Sequence, residues 1–171
     1  MTLPVVELSA AGVLVADIVG WAVAHSVTGY AAHRRAPIRL ATDHGILRLT
    51  AVERGGRAYD AVGIRRWKDR LPEAGALFAG GVSKRALPSC GADGRRHFAI
   101  ETRRAELGHW WCFACAPLFA LWNPPLGAVL MVLYGAAANL PCIAVQRYNR
   151  GRLARIGARA ASRRVQGSSM P

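Results

Sequence analysis

No lysine or arginine occurs in residues 1–33 or 105–146, although the chain carries 23 of them and a net charge of +13. A soluble basic protein would scatter its charge, so this gap argues against one. The two basic-free stretches are also the apolar ones, and cytoplasmic segments that flank membrane helices accumulate Lys and Arg. Zinc-finger spacing, RNP-like aromatics and a basic recognition helix are all missing, so the charge does not read as nucleic-acid binding. It reads as orientation in a membrane and contact with anionic lipid. Cysteine is scarce: Cys90, Cys112, Cys115 and Cys142. Three of these fall in membrane segments and one in a cytoplasmic loop, which argues against a disulfide framework. Cys112 and Cys115 have the spacing of half a metal or redox pair but lack the other half, and read as two small apolar residues on one helix face. No internal repeat is present.

What the chain does have is long apolar sequence. From Leu3 to Ala32 it is apolar apart from Glu7, Asp17, His25 and a few hydroxyls. A bilayer crossing needs about 20 residues. A signal peptide is the competing reading, and it fails on the missing basic n-region and the excessive apolar length. Leu126 to Val145 is a second full-length candidate. Between them, Trp110–Trp122 is short for a spanning helix. It spans if the helix begins earlier, in the Glu101–Leu107 segment, and otherwise forms a re-entrant hairpin.

The fold class expected is therefore mainly α: a small integral membrane protein of about three membrane helices, 3–32, 103–122 and 126–145, forming a single membrane-embedded domain over 1–171. The N-terminus lies outside, with a loop (33–102) and a basic tail (147–171) in the cytoplasm. The loop is too short for an independent core of any size. Alternating apolar residues in Ile38–Leu49, on either side of an Asp-His-Gly turn, predict a small β-hairpin. Ala58–Pro72 reads as one interfacial helix stopped near Leu71-Pro72. Glycines around Gly80-Gly81 and Gly91–Gly94 read as loops. The tail reads as a basic helix on the lipid surface, fraying into the last six residues.

Two polar motifs bracket the apolar hairpin that turns at Asn123–Gly127, and the hairpin would bring them to one membrane face. The first is Glu101–Trp111. On a helix advancing about 100° per residue, His109 projects between Glu101 and Glu106. The Glu106–His109 spacing lets the carboxylate hold the imidazole, fixing its tautomer and raising its basicity. The same spacing occurs in carboxylate-bridged metal bundles, but the second copy they require is missing. A metal enzyme using Glu101, Glu106 and His109 remains a lesser reading, and no metal is assigned. The bland alternative is a helix-entry cluster, with the carboxylates pairing Arg103, Arg104 or Arg147 and with Trp110-Trp111 as interfacial anchors. The second motif is Gln146-Arg147-Tyr148-Asn149-Arg150, preceded by Asn139 and Pro141. Arg147 and Arg150 suit phosphate or carboxylate, which guanidinium binds in bidentate fashion. The ordinary positive-inside pattern explains the same residues. Asn139 in an apolar segment is either inter-helix glue or a site residue. Asp17, near the bilayer centre, is a functional suspect by default or pairs with Asn139 or a backbone group. Trp21 and His25 share its helix face.

At Arg65–Gly75, Ile100–Trp110, Ala138–Leu153 and the turn Leu121–Pro124, the sequence resembles the glycosyl-4,4'-diaponeurosporenoate acyltransferase family, which acts last in staphyloxanthin-type carotenoid biosynthesis. The resemblance covers roughly residues 59–155 and rests on the order and spacing of three motifs. It implies transfer of a fatty acyl group from an acyl thioester to a sugar hydroxyl of a glycosylated carotenoid or similar glycolipid. Acyl-CoA or another thioester would be a co-substrate, with no further cofactor. The chain has no His-x-x-x-x-Asp acyltransferase motif and no Gly-x-Ser-x-Gly elbow. Its own residues therefore suggest the chemistry. His109, oriented by Glu106, would deprotonate the acceptor hydroxyl. Arg147 or Arg150 would bind the donor's phosphates, and Asn139 or Gln146 would donate to the oxyanion. Glu101, Arg104, Trp67, Lys68, Asp69, Tyr148 and Asn149 are further candidates at catalysis or substrate contact. The alternative class is a non-catalytic membrane protein that binds glycolipid or organises a pathway.

Overall fold

The computed structural model describes residues 3–71 and 91–168. Among them the chain forms α-helices and 3-10 turns and no strand. The helices are α1 (Ala10–His33), α2 (Arg57–Ala61), α3 (Ile64–Trp67), α4 (Ala92–Ala114) and α5 (Pro125–Ser168). Two of them, Ala10–His33 and the Pro125–Ser162 part of α5, are long and apolar enough to cross a membrane.

The first span is a helix only from Ala10, because Ser9 caps it: its hydroxyl accepts the Gly12 N–H at 3.2 Å. The residues before it are extended, and the N–H groups of Val5 and Val6 both donate to the Leu121 carbonyl at 2.8 Å. The 103–122 segment is not one helix. It belongs to α4, which begins at Ala92, and the α-helix ends at Ala114 before a 3-10 stretch, Ala116–Leu121. Pro117 is the reason. It has no N–H to give an i−4 bond and its ring crowds the preceding turn, and both costs vanish in the first turn of a new helical stretch, where it stands. The return through Trp122–Pro124 places Pro125 at the start of α5, where a missing donor costs nothing.

The basic tail is not a separate element. α5 runs unbroken through Pro141 to Ser168, about 66 Å at 1.5 Å per residue. The expected β-hairpin at Ile38–Leu49 is absent. Pro37–Leu40 and Gly45–Leu47 are 3-10 turns, their N–H groups satisfied three residues back rather than across a ladder. Short apolar alternation fits either geometry, and Pro37 favours the turn. The single interfacial helix expected over Ala58–Pro72 is broken into α2, α3 and a 3-10 turn, Lys68–Arg70. The break is at Gly63, whose φ of 65° no helix interior tolerates. Gly94, read as loop, lies inside α4. Pro72, Gly80-Gly81 and Cys90 fall outside the described residues.

The chain divides into two compact units. The first comprises Met1–Arg35 and Leu107–Ile143. Its core is Trp21, Ala24, Cys112, Ala116 and Phe119, with Phe113, Trp122 and Met131 against it. Trp21 stacks on Phe119 with ring centroids 4.6 Å apart. Gly135 permits this: a Cβ there would stand 2.8 Å from the Trp21 ring and 3.1 Å from Ala116. The outer side of α1 carries Leu14, Val15, Ile18, Val19, Val23 and Val27, all more than half exposed. The second unit comprises Ala36–Glu106 and Ala144–Pro171. Ile64, Val145 and Tyr148 form its core with Tyr59, Trp67 and Leu71.

Candidate active site

In the first unit, α1, the end of α4 and the start of α5 carry the polar side chains. Asn139 is fully buried on α5. Its Nδ2 donates to the Gly135 carbonyl at 2.9 Å, one turn back on the same helix. A carbonyl only accepts, so this bond fixes which end of the amide is nitrogen. The other end, Oδ1, lies 3.0 Å from His109 Nδ1. An amide oxygen also only accepts, so His109 must carry its proton on Nδ1, and the neutral ring has its lone pair at Nε2. His109 is half-buried. The nitrogen that Glu106 was expected to hold is thus held by Asn139, thirty residues further along.

Asp17 does not pair with Asn139. Its Oδ1 accepts from Trp122 Nε1 at 2.8 Å and from Asn123 Nδ2 at 2.7 Å, so it ties α1 to the turn between the apolar segments. Asn123 Nδ2 also reaches the Phe119 carbonyl at 3.1 Å. This accounts for a carboxylate in an apolar helix: two N–H donors answer it. His25 Nδ1 lies 3.3 Å from the buried Cys112 Sγ, and Cys115 Sγ donates to the Trp111 carbonyl at 3.3 Å. Among the described residues no three His, Cys, Asp or Glu side chains converge as a metal would require.

The second unit holds a buried charge cluster. Glu106 is fully buried, and both of its oxygens face arginines of α5. Arg147 Nη1 donates to Oε1 at 2.7 Å, and Arg150 Nη1 is ion-paired with Oε2. Arg147 goes further. Its Nε and Nη2 donate to the two oxygens of Glu53 at 2.6 and 2.7 Å, and Nη1 and Nη2 donate to the carbonyls of Ile46 and Arg48 at 3.0 and 2.8 Å. Those four bonds and the one to Glu106 occupy all five N–H groups of the guanidinium. Arg147 therefore acts as a clamp holding the 46–53 segment to α5, and no donor is left for a substrate phosphate. Arg150 Nη2 donates to the Leu47 carbonyl at 2.9 Å, and its Nε lies 3.5 Å from Asp43.

Glu53 is the other anchor. Thr50 donates to it from both N–H and hydroxyl at 2.8 Å, and the Tyr59 hydroxyl also donates to it. The Arg147 bond holds the Glu53 carboxyl well below the usual carboxylate range, with Tyr59 and Thr50 adding to it and burial opposing. Burial first, and the adjoining Glu53 second, push the Tyr59 phenol up. The close approach rests on Gly151, where a Cβ would stand 2.7 Å from both the Glu53 carbonyl and the Gly56 nitrogen. Arg103 extends the cluster, donating to Asp43 Oδ1 at 2.6 Å and to the Leu40 carbonyl at 3.1 Å.

The remaining candidates all belong to the second unit. Glu101 pairs with Arg104 at 3.0 Å, one turn along α4. Trp67 donates from Nε1 to the Val62 carbonyl at 3.3 Å and packs in the second core. Lys68 pairs with Asp69. Tyr148 is fully buried, and its hydroxyl accepts from Arg65 Nε at 3.2 Å. Asn149 is buried as well. Gln146 is buried with its Oε1 lacking a partner among the described residues. Sequence reasoning missed Asp43 and Glu53. The signal was available: they are acidic residues in the strongly basic 34–70 stretch, where an arginine-rich helix needs counter-charges.

A model of the glycosyl-4,4'-diaponeurosporenoate acyltransferase family matches residues 43–159. Curated relatives of that name from Staphylococcus aureus strains bovine RF122 / ET3-1 and USA300 are 34% identical over 93 residues, covering 54% of this chain and 56% of theirs. The relative from strain MRSA252 is 33% identical over the same length. The chain thus spans about half the length of the curated relatives it matches. No solved structure matches.

Proposed function

The chain belongs to the glycosyl-4,4'-diaponeurosporenoate acyltransferase family, and from that premise we propose that it is a membrane-bound acyltransferase. It moves a fatty acyl group from an acyl thioester to a sugar hydroxyl of a glycosylated carotenoid or similar glycolipid. The observation that carries the chemistry is the Asn139–His109 bond, which leaves the base position of the imidazole at Nε2. His109 Nε2 takes the proton of the acceptor hydroxyl, and the oxygen attacks the thioester carbonyl carbon. The C–S bond breaks, and the departing thiolate takes the proton back from the imidazolium, so ester and thiol are released and the histidine is restored. Asn139 is a positioning residue in this scheme, acting through the ring.

The membrane setting is supported by the exposed apolar side of α1 and by Leu126, Val129, Leu130 and Leu133 on α5. In water these faces would lie unsatisfied. The segment between the two long helices also has the reach to cross. Ala105–Ala114 as α-helix covers about 15 Å and Ala116–Leu121 as 3-10 helix about 12 Å, close to a hydrocarbon core of about 30 Å. The 3-10 stretch lengthens a segment that would be too short as α-helix alone. With that crossing, every Lys and Arg lies on the cytoplasmic side, as does the tail.

The test is acyl transfer in membranes carrying the chain, read as the mass gained by a glycolipid acceptor. His109→Ala should lower the rate by at least about a hundredfold, the usual scale of a lost general base. Asn139→Ala should lower the rate less, and through kcat rather than KM, because the ring loses the acceptor that orients it and keeps its base nitrogen. Wild-type rates in His109→Ala at normal expression would remove the mechanism. A lipid profile unchanged by the presence of the chain would remove the activity itself.

A further inference from the structure

The second unit has a concavity of about 280 Å³ that the charge cluster does not fill. Arg95, Arg96 and Arg103 line it from α4, and Arg150 and Leu153 from α5, with Asp43 alongside. Positions 95, 96, 99 and 103 fall on one side of a helix at 3.6 residues per turn, as do 150, 153 and 154. The two helices therefore present guanidinium and short apolar side chains to the same space. Its arginines differ in what they already hold. Arg103 is bonded to Asp43 and to a carbonyl, and Arg150 to Glu106 and a carbonyl. Arg95 and Arg96 have no partner among the described residues, and they are half-buried and exposed respectively.

The local balance is cationic. Four guanidiniums surround the space, and Asp43 and the Glu106 bonded to Arg150 are the carboxylates that answer them. Structural pairs already satisfy the inner two arginines, so they provide fixed positive charge. The outer two provide donors in the fork geometry that phosphate accepts bidentately. The floor of leucine and alanine gives the carbon skeleton next to a phosphate something to lie on.

We propose that this concavity is a binding site for a phosphate group carried on a partly apolar molecule, with Arg95 and Arg96 making the contacts. Two sources share that chemistry: the phosphates of a soluble acyl-thioester carrier and the headgroup of an anionic phospholipid. The site differs from the arginine pair first suspected from sequence, since Arg147 is fully occupied by Glu53, Glu106 and carbonyls. It does not depend on acyl transfer, because binding is measured without turnover.

Full-length protein purified in a neutral detergent would be titrated separately with coenzyme A, with a short-chain phosphatidylglycerol, and with a short-chain phosphatidylcholine as the neutral control. Calorimetry of the wild type should show binding of at least one of the first two, weakening as salt rises. Arg95→Ala/Arg96→Ala should weaken that binding at least tenfold while leaving the thermal midpoint unchanged. Arg95→Lys/Arg96→Lys should bind more weakly than wild type and more tightly than the alanine variant, since lysine keeps the charge and loses the fork. Loss confined to coenzyme A assigns the site to the donor, loss confined to phosphatidylglycerol assigns it to lipid, and loss of both supports a general phosphate site. A wild type that binds neither probe overturns the proposal. So does an alanine double variant that binds as tightly as the wild type.

Discussion

Replacing Glu106 by glutamine keeps the side-chain volume and removes the charge between two arginines. The carboxylate is fully buried, accepts from Arg147 at 2.7 Å and pairs with Arg150. After the change Arg147 keeps Glu53 at 2.6 and 2.7 Å. Arg150 is worse placed: its side chain is 2% exposed, and its nearest remaining carboxylate is Asp43 at 3.5 Å. Removing one partner of a buried pair costs about 3–5 kcal/mol, because the other charge is left uncompensated. Asp43 still answers part of Arg150, so the lower end is expected, about 3 kcal/mol. For a chain of this size each kcal/mol moves the thermal midpoint by about 2–4 °C, giving a fall of about 6–12 °C. Arg150→Met should also destabilise, by less, since Glu106 keeps Arg147. The decisive variant is Glu106→Gln/Arg150→Met, in which neither buried charge is stranded. Its loss should fall short of the two single losses added together by about 1.5–3 kcal/mol. Thermal denaturation of all four proteins in one detergent reads this directly. Strictly additive losses, or a Glu106→Gln midpoint within about 1 °C of wild type, would refute the clamp.

Three further outcomes follow from the same geometry. Gly151→Ala would drive a Cβ to 2.7 Å from two backbone atoms of the 53–56 turn, so an overpacking loss of about 1–3 kcal/mol is expected in thermal denaturation. Glu53 has its pKa lowered on folding, so its contribution is complete above its unfolded value of about 4.3 and is lost as the pH falls through the folded value. The midpoint gap between wild type and Glu53→Gln should therefore be constant from pH 7 to about 5 and narrow only below about 4.3; a gap that widens on acidification contradicts this. Asp17→Ala strands the Trp122 and Asn123 donors and should cost about 1–3 kcal/mol. Asp17→Asn, which keeps an acceptor oxygen, should cost less by the same measurement.

Much of the architecture is legible in the sequence. Long, predominantly apolar sequence marks α1 and the first half of α5, because length and hydropathy are read directly along the chain. The Asn-Pro-Pro turn between apolar segments is equally local: proline has no N–H donor and is best accommodated at a helix start. Where local signals were short they misled. Alternation over Ile38–Leu49 fits a strand as well as a pair of 3-10 turns. Ala58–Pro72 holds helix-forming residues on either side of a glycine whose positive φ becomes evident only in the folded chain.

The sequence by itself determined the segregation of charge, the two long apolar helices, the turn between them and the motifs that carry the family resemblance. All of these depend on residues close together in the chain. Only the tertiary structure decided the partners. Spacing along one helix offered Glu106 to His109, whereas folding gives His109 Nδ1 to Asn139 and surrounds Glu106 with Arg147 and Arg150. It also occupies Arg147 with Glu53, 94 residues away, and leaves Arg95 and Arg96 lining a concavity without a partner among the described residues. The reason is physical: a helix fixes the neighbours at i±3 and i±4, while a buried charge takes whichever counter-charge the packing of distant segments delivers to it.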